Sequence, residues 1–151
     1  MMTSVKTAIF AATGLIVLST APLVAGETPA GKDAKVYFIH LKDGDTVTSP
    51  VQIQFGLSGM GIAPAGSELE KTGHHHLFID RPALGKGEDG AEEFNANIIK
   101  DEKNVHFGGG QTEASVTLSP GKHTLQLVLG DKDHIPHNPP VMSDVITITV
   151  Q

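Results

Sequence analysis

Two stretches of the chain alternate apolar and polar residues strongly. In 51–57 the residues Val51, Ile53, Phe55 and Leu57 share one face, and in 123–129 the residues Leu125, Leu127 and Leu129 do. A period of two is that of a strand with one face buried and one facing water. The last stretch, 145–150, repeats the pattern with Ile146, Ile148 and Val150 inward. Segments 36–41, 74–80 and 114–118 are read as further strands. Leu77, Phe78 and Ile79 are strand formers, bounded by Gly73 and Pro82. For 94–99, taken as a further strand, periodicity does not separate a strand from a helical turn. No segment keeps a helical period, and Asp43-Gly44 and Ser119-Pro120-Gly121 supply turns. The pattern predicts an all-β fold, an immunoglobulin-like antiparallel β-sandwich of about seven strands. Its core should hold Ile53, Phe55, Leu77, Ile79, Leu125, Leu127, Ile146 and Ile148.

The N-terminus breaks this pattern. Lys6 precedes an apolar run from Thr7 to Thr20, and small residues follow at 21–26. This predicts a secretory signal peptide over 1–26, too short for a stable membrane span. Val24 and Gly26 suit a cut after Gly26, and a cut after Ala25 is the alternative. Residues 27–35 are expected to form a flexible polar linker, and 36–151 a single β-sandwich domain. The expected location is periplasmic or secreted, with no membrane insertion after cleavage. Losing Lys6 takes the net charge from −6 to −7. An acidic chain with no basic stripe argues against nucleic acid or an anionic membrane surface as a partner. The chain has no cysteine, so neither disulfides nor thiolate metal sites are available.

Candidate chemistry centres on His74-His75-His76. On a strand, His74 and His76 share a face while His75 turns the other way, with Leu77 and Ile79. An up-and-down sandwich gathers alternate loops at one end. That end then carries Met60, the histidine run, His106 with its three following glycines, and His134, His137 and Met142. His40 and His123 fall at the other end, and His123 reads as a satisfied structural histidine. His74, His76 and His134 are the foremost metal ligands by this reading, with His137, His106, Met60 and Met142 behind them. Imidazole with thioether and no thiolate favours copper. Zinc is the second candidate, with Asp131, Asp133 or Glu113 as its carboxylate. Calcium is disfavoured because the Gly and Glu of a calcium loop are missing.

The segments GHHHLFID, FGGGQTE, LSPGKHTLQLVLGD and HIPHNPPVMS resemble the signature blocks of a family of exported bacterial domains of unknown function. The likeness runs from about Val36 to Val150. It implies a small secreted or periplasmic module and no established activity. Two other classes remain open beside metal binding. One is a non-catalytic envelope interaction module, partnered by another envelope protein, whose histidines are structural. The other is a copper- or zinc-dependent enzyme. No nucleophile elbow is present and no acid pairs with the strand histidines in sequence, so binding is expected over catalysis. With no Trp and one Tyr, a stacking platform for sugars is not expected.

Overall fold

The computed structural model describes residues 26–151, so the expected signal peptide lies outside the described residues apart from Gly26. Among the described residues nine strands follow one another: β1 (Lys35–Phe38), β2 (Thr46–Val47), β3 (Val51–Ser58), β4 (Gly61–Ile62), β5 (Thr72–Ile79), β6 (Asn104–His106), β7 (Glu113–Val116), β8 (Gly121–Gly130) and β9 (Ile146–Val150). They make a three-stranded sheet in the order β1-β3-β7. A larger sheet runs β2-β9-β8-β5-β4, with β6 also on β5. Most pairs are antiparallel, and the two-residue strands β2 and β4 pair in parallel. Among the described residues no helix is long and apolar enough to cross a membrane.

The two sheets face each other across one core. Val36, Val51, Ile53 and Phe55 from the small sheet meet Leu77, Ile79, Leu125, Leu127, Leu129, Ile146, Ile148 and Val150 from the large one. All eight expected core residues are buried there. Phe55 lies between His75 and Phe107, with ring centroids 5.0 and 4.7 Å away. Truncating so enclosed a ring leaves a cavity that rigid strands cannot close. Phe55→Ala should therefore cost about 3–5 kcal/mol, read from urea unfolding.

A second, smaller cluster covers the outer face of the large sheet. Phe78 and Val128 point outward from β5 and β8 and pack under Leu84, Ile98 and Phe94. The cover is segment 81–103, which departs from the strand taken for 94–99. Residues Gly90–Asn95 form a short 3-10 helix where a strand over 94–99 was expected. Glu93 pins that helix: its Oε2 accepts from the Gly85 amide at 2.7 Å, and Oε1 pairs with Arg81. Phe94 packs where any Cβ on Gly85 would meet its ring at 2.3 Å. A strand would carry Glu93 and Phe94 to opposite sides and lose one of these contacts.

Segment 27–35, expected to be a flexible linker, is laid along the domain. Ala30 N donates to Asn138 O and Asn138 N to Thr28 O, both at 2.9 Å. The reason is pairing of backbone groups that no local composition reveals, since Thr28 and Asn138 are over a hundred positions apart.

Candidate metal centre

Strand β5 is unusual in being buried on both faces. Its inward set is Gly73, His75, Leu77 and Ile79, and its outward set is His74, His76 and Phe78. The outward histidines meet two more from neighbouring elements. His106 on β6 is the register partner of His76, which places their side chains side by side on one face. His134 comes from the β8–β9 connection. Ligand atoms of His74, His76, His106 and His134 all lie within 4.8 Å of one another. His74 and His76 are fully buried, and His106 and His134 are half-buried.

The backbone leaves room for this cluster at one place. Gly130 is paired with His74 across β5 and β8. A Cβ on it would stand 2.7 Å from His76 Nε2 and 3.4 Å from the His134 Cα. Any other residue there would push the His76 ring out.

His134 is held from behind by Asp131. The Asp131 carboxylate is buried, and its Oδ1 accepts from the Asp133 and Ile135 amides, each at 2.9 Å. The His134 amide donates to Asp131 O at 3.0 Å, and His134 O accepts from the Ile98 amide at 2.9 Å. This hydrogen bonding holds His134 at φ 67°, a left-handed conformation that a residue with a Cβ adopts at some cost. Asp131 thus acts as a positioning residue and places a negative charge behind the cluster.

The hydrogen bonding inside the cluster is sparse. His74 Nε2 and His76 Nε2 lie 3.0 Å apart, so one N–H can donate to the other's lone pair. His74 Nδ1, His76 Nδ1, His106 Nε2 and His134 Nδ1 are buried with no partner. An unpartnered buried polar atom costs about 1–3 kcal/mol. A hydrogen-bonded structural knot would have paired these atoms. Two nitrogens bound at about 2.0–2.1 Å to one tetrahedral ion stand roughly 3.3–3.4 Å apart. The His74–His76 contact is a few tenths of an ångström short of that.

The electrostatics favour the neutral form of His74, His76 and His106. Burial, with the neighbouring His74 and His106, pushes His76 down to about 2. Burial, followed by His134 and His106, lowers His74 to about 4, with Asp131 pulling the other way. His106 is also lowered, first by burial and then by His134 and Lys100. Neutral imidazoles with free lone pairs are the form that ligates a metal.

The remaining histidines and methionines named from the sequence lie elsewhere. Of the residues expected to converge, His74, His76, His106 and His134 do so, on the outer face of the large sheet. His137 is fully buried, and its ring sits where a Gly73 Cβ would point, 2.9 Å from that position. This is the inward side of β5, and its Nδ1 and Nε2 face Leu129 O and Thr72 O at 3.4 and 3.2 Å. Met60 packs against the main core. Met142 is 41% exposed and lines a surface cleft with Tyr37 and Ile146. His75 turns inward against Phe55, both ring nitrogens unpartnered, and burial lowers it to about 4. His123 is a satisfied histidine, its Nδ1 2.7 Å from Asp80 Oδ2 and its Nε2 2.8 Å from Ser119 O. His40 is exposed.

Two residues that matter here carried little signal in the sequence. In the sequence Gly130 only follows the alternating stretch 123–129, and Asp131 is a candidate only as a zinc carboxylate. The run Asp131-Lys132-Asp133-His134 is the trace that could have shown Asp131's role, because Asp side chains cap their own following turn.

A family model described as "Domain of unknown function (DUF4399)" matches residues 53–151. No curated protein and no solved structure matches the chain.

Proposed function

The chain belongs to that family, whose description assigns no activity, and from the site itself we propose an exported metal-binding module that holds one copper ion. Its ligands are His74, His76, His106 and His134, and zinc is the second candidate ion. One observation carries the reading: four histidines from three separate elements meet within 4.8 Å, with most of their buried nitrogens unpartnered. An all-imidazole set without thiolate suits a divalent ion, and Cu(II) outranks Zn(II) at nitrogen sites of like geometry. Four neutral ligands leave the ion's two positive charges uncompensated, and the Asp131 carboxylate stands behind them. His137, Met60 and Met142 fall outside this ligand set. The periplasmic or secreted location follows from the N-terminal pattern of Lys6 and the apolar run after it.

The test is elemental analysis of protein purified without an affinity tag from its own host. About one copper per chain is expected. Metal-free protein that takes up neither copper nor zinc in titration would remove this reading and leave the envelope interaction module.

A further inference from the structure

Segment 26–30 is tied to the framework of the cluster by five hydrogen bonds. The Gly26 nitrogen lies 2.8 Å from Asn95 Oδ1 and 3.1 Å from Phe94 O. Thr28 Oγ1 donates to Asp131 Oδ2 at 2.6 Å, the carboxylate whose other oxygen orders the His134 turn. Thr28 O and Ala30 N bond to Asn138 at 2.9 Å each. Gly26 is buried at φ +48°, and a Cβ on it would meet Pro136 O at 2.2 Å. Only glycine fits there.

The Gly26 nitrogen has two acceptors, yet a peptide nitrogen carries one hydrogen. An α-ammonium carries three and satisfies both. Phe94 O belongs to the last turn of the 3-10 helix, whose terminal carbonyls lack partners within it, and that turn has no basic residue. A cut after Gly26 would remove the residue this place accommodates. We propose that processing cleaves the Ala25–Gly26 bond, so that the new Gly26 α-ammonium docks on Phe94 and Asn95 and the mature N-terminus straps the loop presenting His134. In the cleavage, water adds across the peptide bond. Its oxygen ends on Ala25 as part of a carboxylate, and its two hydrogens end on the Gly26 nitrogen, giving the ammonium. A leader peptidase is the class of enzyme required. The inference rests on the export reading above, and it does not depend on which metal binds.

Intact mass and N-terminal sequencing of the processed protein from its host should give a chain beginning at Gly26. A chain beginning at Glu27 overturns the proposal, and one that keeps Met1 or Met2 overturns export with it. Docking is read separately, by amide hydrogen exchange of metal-free processed protein. In Gly26→Ala and in Thr28→Val, the Ala30, Ile135 and Asn138 amides should exchange at least ~10-fold faster than in the parent, as local opening becomes easier. Parent-like protection in both variants overturns the strap. Since exchange is measured without metal, its failure leaves the ligand assignment standing. Equally, a failed copper titration leaves the strap standing.

Discussion

His76→Ala should lower Cu(II) affinity by at least ~100-fold, because losing even an outer partner of a metal ligand costs about 10–100-fold. His76 is the strongest choice among the four. It is fully buried, touches His74 at 3.0 Å and is the register partner of His106. His75→Leu is the matched control. It removes a neighbouring imidazole of similar size, on the opposite face, that contacts Phe55 and has no polar partner. Its copper affinity should stay within a few-fold of the parent, and its folded state should be at least as stable, since an unpaired polar group leaves the core. Competition titration against a chelator of known affinity measures both variants. Parent-like binding by His76→Ala would mean that no ion sits in this cluster.

Acid should unfold the metal-free protein well before ordinary carboxylate titration is complete. The sign follows from the buried histidines. Burial holds His74 and His75 at about 4 and His76 at about 2, below the ordinary 6.5. The unfolded chain therefore takes up protons that the folded chain refuses. Their contribution to stability is complete above about pH 6.5 and is lost as pH falls. The loss levels off near pH 4 for His74 and His75 and continues lower for His76. Each histidine adds a slope of at most ~1.4 kcal/mol per pH unit inside its window. Urea midpoints at pH 7.5, 6 and 5 should fall accordingly, and His75→Leu should show a shallower slope by up to one proton's worth. A pH-independent midpoint over this range would contradict the burial of these rings. Bound metal should add stability at neutral pH, about 2.7 kcal/mol at a hundred times its Kd. Protonation competes for the same lone pairs, so this gain should fade only as pH falls toward the lowered values of His74 and His76, about 4 and about 2.

The sequence by itself determined the strands with long alternation and the inner face of each. Val51–Ser58, Gly121–Gly130 and Ile146–Val150 were legible because a period of two is a local property, visible over as few as five positions. The opposite facing of His75 against His74 and His76 was legible for the same reason. His106 as a neighbour of His76 was not, because β6 is three residues long with a single apolar side chain, Val105. Its place depends on register against β5, which only the assembled sheet decides. The face on which His134 and His137 lie was equally hidden. They are three positions apart on one loop, yet the Asp131 turn sends one outward to His74, and the space above Gly73 takes the other inward. In the chain Gly73 bounds one strand and Gly130 follows another. In the fold they are gaps that rings fill, and such gaps exist only once two strands and a returning loop are in contact. Local periodicity determined which residues are strands, and non-local packing decided which histidines meet.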